Sequence, residues 1–411
     1  MTLSASAPVP SSRLATFNGI VRADGRVATR NYIGIFVVGN CGATVARKIA
    51  DWFTEARLTA WPGVDGVVPF VHEIGCGMEM TGEPMNLLRR TIAGTIRNPN
   101  IAGALVIALG CERNNIDGFL EQEKLAQGPL LKRLVMQELG GTQRTIELGI
   151  AAVSEMLPLV ANVRREPVAA RHLTVGLQAD PDDEQAAATA SPALGAAMDL
   201  LVAQGGTVIL SGTAGIAPVA AAFQARAEQP AVGEQLAQRV QWWHGYSEGR
   251  TNRLGLRLTQ PAAHDQHARL AEANARRAGS APLQAVYEYA QPVVRSGLVF
   301  MDTPIYEAVS ATGQIAGGAT LICVATGTGS GFGALPATTI KLAASSALYA
   351  AMEDDLDVDC GAAADGPEAV ARLGQEIFAR LLRHASGDKT KAEELALGEN
   401  EFVPWPIGVL A

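Results

Sequence analysis

The 411-residue chain is short of cysteine, of aromatic residues and of positive charge, and each shortage excludes a class of protein. Its five cysteines are odd in number and scattered from Cys41 to Cys360, so they do not form the dense disulfide framework of a small secreted domain. A reducing, cytoplasmic location is expected. Lysine and arginine number 33 against 41 acidic residues, a net charge of -8. That argues against a nucleic-acid partner, because neutralising phosphates requires a clustered basic excess. The basic pairs Arg89-Arg90, Lys132-Arg133 and Arg164-Arg165 fall in mixed-charge, helix-like settings and read as solvated faces. The most apolar stretches, Ile33–Val38 and Ile101–Gly110, are interrupted by glycine within about ten residues, whereas a membrane span needs about 20. The N-terminus has neither the basic region nor the apolar region of a signal peptide, and residues 1–16 read as a floppy tail.

What is present is abundant apolar material, 48% of residues, enough for two or three domains. Phe17–Arg26 carries an Asp24-Gly25 turn signal and reads as a hairpin. Short apolar runs suited to strands buried on both faces then alternate with helix-spaced segments. Asn31–Gly39, Val64–Phe70 and Ile101–Leu109 read as strands, with helices over Val45–Phe53, Met85–Ile96 and Thr145–Leu157. This rhythm predicts an α/β protein: a parallel-sheet first domain over 17–165, then a second α/β domain over 166–411. Leu173–Leu177, Thr207–Ser211, Gly297–Met301 and Thr320–Ala325 are its strands, and Gln224–Ala278 is a helical insertion.

Ligands of open parallel sheets collect at loops beyond the carboxyl ends of strands. Cys41, Cys76 and Cys111 fall at three such ends, 35 residues apart. That spacing is too wide for a CxxC zinc site, but successive strand-helix units can bring the three to one edge. With His72 and Glu112 beside them they suit iron, zinc or an iron–sulfur cluster; equally, a cysteine at a strand end can be a small buried hydrophobe. Cys323 reads as core, and Cys360 has no evident partner. Thr326-Gly327-Thr328-Gly329-Ser330-Gly331 could cradle an anion or be a plain turn. It fits neither nucleotide-binding spacing, so no nucleotide cofactor is expected. Lys341 reads as following a loop, either a carboxylate partner or a surface charge. The acidic run Glu353–Asp359 reads as a solvated turn, not a calcium loop.

Taken together the strings resemble the large catalytic portion of the altronate and galactarate dehydratase family, which includes the sulfolactate sulfo-lyase large subunit. The resemblance rests on Gly19-Ile-Val-Arg-Ala-Asp-Gly-Arg, Asn40-Cys-Gly-Ala-Thr-Val, His72-Glu-Ile-Gly-Cys-Gly, Arg97-Asn-Pro-Asn and Leu109-Gly-Cys-Glu. It continues through Phe300-Met-Asp-Thr-Pro, Thr312-Gly-Gln-Ile-Ala-Gly-Gly-Ala, Ser386-Gly-Asp-Lys-Thr-Lys and Glu401-Phe-Val-Pro-Trp, in register from about residue 17 to 407. It implies an iron-linked lyase that removes water, or sulfite in one branch, from a 2-hydroxy acid. Such chemistry needs a metal to stabilise an enediolate, a base and an acid.

The roles expected from it are metal ligation by Cys41, Cys76 and Cys111, and catalysis by His72, Glu112 and Lys341. Arg22, Arg30 and Asn31, around the opening turn, are expected either to bind a substrate carboxylate or to form a structural salt-bridge network; Asn40, Thr44, Asp302, Thr303, Thr326 and Ser330 are the other expected substrate contacts. The second domain departs from the family pattern. Ala179 stands where relatives carry cysteine, and Gly212 and Gly215 stand where they carry glutamate. Thr328 replaces an arginine, and Leu254–Arg277 replaces a lysine-bearing segment. The expectation is therefore a diverged lyase acting on a different small hydroxy acid; the alternative is an inactive paralogue serving as a structural or regulatory subunit. The family further implies a small β-rich partner subunit, and the apolar content suggests a homo-oligomer.

Overall fold

A computed structural model describes residues 14–248 and 264–407. Most of the expected tail, and the middle of the expected helical insertion, lie outside the described residues.

The first sheet contains β3 (Tyr32–Val37), β4 (Gly66–Phe70), β5 (Ile101–Ala108) and β6 (Leu131–Val135), all parallel, in the order β4-β3-β5-β6. All six residues of β3 are buried, because helices cover both faces. Ile33, Ile35 and Val37 point to one face and pack with Ile49, Val153 and Met156. Tyr32, Phe36 and Val38 point to the other and pack with Leu88, Ile92 and Phe119. The alternation of the strand thus divides one apolar run between two cores.

The second sheet has seven parallel strands in the order β10-β11-β9-β8-β12-β13-β14. They are β8 (Thr174–Ala179), β9 (Thr207–Ser211), β10 (Leu283–Tyr287), β11 (Gly297–Met301), β12 (Leu321–Thr326), β13 (Thr338–Ala343) and β14 (Val358–Asp359). Helices Ala190–Ala203 and Pro367–Ala385 cover one face, and Glu307–Ala316 covers the other. The expected α/β architecture is therefore present.

Three local expectations are corrected. Lys132 and Arg133 lie in β6, a half-buried edge strand, and not on a helix. Arg165 opens β7 (Arg165–Ala169), which pairs antiparallel with β1 (Thr16–Val21). The acidic run is only partly solvated: Asp357 is buried and accepts the backbone N–H groups of Lys341 and Lys391. The hairpin was read correctly, with β1 pairing to β2 (Val27–Ala28), but Phe17 and Val27 join the core of the second sheet.

The two sheets meet along helices Glu83–Ile96 and Glu307–Ala316. At Gly94 the helices approach so closely that a Cβ would lie 2.4 Å from the Ala316 carbonyl oxygen. Buried Asn98 donates to the Ile315 and Ala319 carbonyls, and Asn100 donates to that of Pro336, so the Arg97-Asn-Pro-Asn string joins the sheets.

Candidate active site

Strand order locates one crevice in each sheet. From β3 the chain moves to β4 on one side and then to β5 on the other, so the order reverses between β3 and β5. Binding crevices form at such reversals, outside the carboxyl ends of the strands. Cys41 follows β3, Cys76 follows β4 and Cys111 follows β5, and all three are exposed. The Cys76 thiol lies near enough to Cys41, Cys111 and Glu112 for all three to act on it electrostatically. Partial burial first, and then the Cys41 thiol, hold the Cys76 thiol above its usual pKa. Sequence spacing alone thus delivered three thiols to one edge.

The loops reach that edge by close backbone approach. Gly75 has φ +102°, and a Cβ there would lie 2.3 Å from the Val38 carbonyl oxygen. A Cβ on Gly39 would lie 2.6 Å from the Glu112 side chain and 3.5 Å from the Cys76 Sγ. Asn114 is fully buried and donates to the Val38 carbonyl, while its backbone N–H bonds Gly75, so it ties the three loops together.

His72 is buried, and its Nε2 lies 2.9 Å from the Val37 carbonyl oxygen. That acceptor fixes the proton on Nε2 and leaves a lone pair on Nδ1. Nδ1 has no hydrogen-bond partner of normal geometry. Burial lowers the imidazole pKa to about 4, so His72 is neutral at pH 7. It lines a cleft of about 700 Å³ together with Asn40, Arg47, Glu73, Asn400 and Phe402. Arg47 was not singled out from sequence, although it lies seven residues after Asn40 on the next two turns of helix Ala43–Trp52. Its Nη2 donates to Asn400 Oδ1 at 2.8 Å.

Several expected site residues have other duties. Glu112 turns both carboxylate oxygens onto the backbone N–H groups of Leu109 and Gly110, so it folds the β5 loop and is not a free acid. Arg30, also expected to bind substrate, is engaged throughout. It makes a bidentate pair with Glu393 at 2.6 and 2.7 Å and donates to the Thr29, His384 and Asp388 carbonyls. Arg22 donates to Pro99, Asn31 and Arg30, and Asn31 donates to the Gly63 and Val160 carbonyls. These three precede β3, whereas the thiols follow it; strand from Asn31 to Val38 spans roughly 23 Å. Arg22, Arg30 and Asn31 are thus engaged in structural bonds at the opposite end of β3 from the thiols. Thr44 is exposed beside the cleft on the first turn of its helix, but does not line it.

The remaining expected residues sit on the second sheet, and none lines the His72 cleft. Asp302 is buried and accepts from Thr213 Oγ1 and from Trp243 Nε1 at 2.6 Å; burial raises its pKa against those bonds. Thr303 is fully buried, accepts the Gly212 N–H and donates to the Pro304 carbonyl. Both are committed to folding their loop, which corrects their expected role as substrate contacts. Thr326 Oγ1 accepts from the Thr328 N–H, and Ser330 Oγ from the Phe332 N–H, so each closes its own turn. Lys341 lies within β13, fully buried, and not after a loop. Its Nζ donates to the Ser330 carbonyl at 2.9 Å and lies 4.0 Å from Asp355. Beside it, Glu307 has its pKa raised to about 7 by burial and by Asp180, with Lys341 opposing. Sequence reading missed Glu307; its signal was an acid on the first turn of a helix following a strand-end loop.

A metal was expected at the thiols. Among the described residues no group of three or more His, Cys, Asp or Glu side chains is drawn together tightly enough to hold an ion as it stands. The donor set, three exposed cysteines around one open edge, suits a thiolate-ligated iron–sulfur group, whose ligands stand further apart than those around a single ion.

An α/β chain with two parallel sheets, and with three exposed cysteines at the carboxyl edge of the first, defines the class. Residues 170–410 match the description "D-galactarate/Altronate dehydratase, C-terminal", and residues 19–161 match "D-galactarate dehydratase/Altronate hydrolase, second domain". The chain belongs to the galactarate/altronate dehydratase family. Galactarate dehydratase (L-threo-forming) of Escherichia coli (strain K12) is 29% identical over 395 residues, covering 93% of this chain and 75% of the relative. Altronate dehydratase of Bacillus subtilis (strain 168) is 24% identical, covering 94% and 78%. The (2R)-sulfolactate sulfo-lyase subunit beta of Chromohalobacter salexigens is 25% identical, covering 94% and 96%. Among the described residues no helix is long and apolar enough to cross a membrane.

Proposed function

We propose that the chain is a hydro-lyase for a small hydroxy acid whose reaction occurs in the cleft beside Cys41, Cys76 and Cys111. The observation that carries this reading is the gathering of three exposed thiols at the strand-order reversal of the first sheet, with a buried, neutral histidine on the loop that carries Cys76. The three cysteines would hold iron, as an iron–sulfur group with one side open to substrate. When bound, such a group supplies the Lewis acidity that makes the proton next to a carboxylate removable and assists departure of the hydroxyl.

The chain's own residues do the rest. Arg47 offers a guanidinium to the substrate carboxylate, and Asn40 offers an amide to its hydroxyls. His72 presents the Nδ1 lone pair as proton acceptor. With a pKa of about 4 the imidazole is a weak base that is neutral, and so able to accept a proton, at working pH. Phe402 and Val403 close the apolar wall and exclude water. The substrate differs from altronate and galactarate, because Ala179 and Thr328 remove a thiol and an arginine from the second-sheet edge. The likeness to a protein named as a subunit supports a small β-rich partner, and self-association is part of the same reading.

The test is a panel of C4–C6 hydroxy acids with anaerobically purified, iron-reconstituted protein, following the 2-keto product. Turnover of one acid, lost in His72→Ala and Cys76→Ser, is expected. Iron-loaded protein with no turnover on the panel, alone or with a co-purified partner, would instead favour the inactive paralogue. The internal bonding of Asp302 and Thr303 is the observation on that side.

A further inference from the structure

The carboxyl edge of the second sheet carries its own small cavity, where the loop after β8 meets the turn after β9. Gln178, Ser211, Ser310, Asn274 and Arg277 supply its polar lining. Its interior of about 20 Å³ takes one compact group. No residue is shared with the His72 cleft.

Arg277 is only 6% exposed. It lies in the short turn Arg276–Ala278 that follows helix His264–Ala275. Its Nη1 donates to the Asn274 carbonyl at 2.8 Å, a favourable place for a cation at a helix C-terminus. Its Nε is buried with no partner. Among the described residues, no aspartate or glutamate lines the cavity. Burial alone lowers the guanidinium pKa to about 10, and no described carboxylate acts to restore it. The group is therefore charged at neutral pH and has no counter-charge among the described residues. A Cβ on Gly195 would lie 1.9 Å from the Arg276 carbonyl oxygen, and one on Gly279 would lie 2.3 Å from Asp199, so the turn is clamped against helix Ala190–Ala203.

We propose that Arg277 and this cavity form a binding site for one compact monoanion, a halide or the carboxylate end of a small acid. Arginine suits either source, since its planar fork binds carboxylate and its weakly hydrated charge tolerates burial. The small cavity limits the bound group to about the size of formate. This assignment stands apart from the cysteine chemistry and holds whether or not the chain is a lyase.

The experiment is thermal melting of the full chain at constant ionic strength, with methanesulfonate, which is larger than the cavity and not a carboxylate, replaced stepwise by formate or by bromide. A ligand that binds only the folded state raises the melting temperature. A saturable rise is expected in the wild type and its loss in Arg277→Met. A response to formate alone identifies a carboxylate as the ligand, and a response to bromide identifies a halide. No saturable rise with either anion, or an equal rise in the variant, overturns the site. Should Arg277→Met fail to fold, wild-type crystals grown with bromide and with formate decide. Density beside Arg277 Nε supports the site, and a cavity empty under both conditions overturns it.

Discussion

The carboxyl edges of the two sheets are built alike and used differently. Each lies where strand order reverses, between β3 and β5 in one sheet and between β8 and β12 in the other. At the first edge the reactive groups are left uncommitted: three exposed thiols and a histidine whose Nδ1 lacks a partner. At the second, Asp302, Thr303, Thr326 and Lys341 are bonded into their own loops. Strand order therefore marks where a ligand can sit, while hydrogen bonding tells which edge is available for chemistry. Both criteria are needed, because the second edge satisfies the first one as well.

The comparison can be broken most severely at Cys76, the thiol that meets Cys41, Cys111 and Glu112. Cys76→Ser is expected to lower turnover at least 100-fold, about 2.7 kcal/mol of transition-state stabilisation, with an unchanged far-UV spectrum. Asp302→Asn, at the other edge, should act mainly on stability. Equal losses of turnover per folded molecule in the two variants would erase the distinction.

Next in size is the buried pair at the far end of β3. Arg30→Met leaves Glu393 buried without its cation, and breaking such a pair costs roughly 3–5 kcal/mol. Urea denaturation should show that loss while turnover per folded molecule is preserved. A loss of turnover without destabilisation would return Arg30 to the active site.

Glu307 gives a pH-dependent test. Its folded pKa of about 7 lies above the ordinary 4.5, so the folded state holds the proton more tightly. Stability from this group is full below pH 4.5 and falls as pH rises to about 7, by roughly 3 kcal/mol. His72, lowered from 6.5 to about 4, acts oppositely: its contribution is lost as pH falls through that range. The two slopes largely cancel in the wild type. Comparison with Glu307→Gln exposes the carboxyl, and the variant's advantage should grow from near zero at pH 4.5 to its full value at pH 7. A constant difference across that range would contradict the raised pKa.

The smallest effect is expected at the sheet margin. Lys132 on β6 pairs with Glu155, which is 70% exposed, and Lys132→Ala should change stability by under about 1 kcal/mol.

What the sequence made legible follows from range. The buried runs of β3 and β5 and the turn at Asp24-Gly25 are local patterns, and they appear where expected. The three cysteines were legible because each ends a recognisable strand. β6 was misread because it is an edge strand carrying Lys132 and Arg133, charges that blunt an edge and conceal its period. Lys341 was misread because its stem lies buried in β13 while Nζ reaches the Ser330 carbonyl. Arg30 could not be resolved from pattern alone, since its partner Glu393 is 363 residues away. Glu112 was misread for the opposite reason: the partners that occupy its carboxylate are the backbone of its own turn, which a residue list does not display.

The central claim, that the thiol-bearing edge holds iron for lyase chemistry, is tested most directly by iron and acid-labile sulfide analysis of anaerobically purified wild type beside Cys76→Ser. The account predicts iron and sulfide bound to the wild type and lost from a folded variant. Iron held equally by both proteins, or an iron-free wild type that still dehydrates a hydroxy acid, would contradict it.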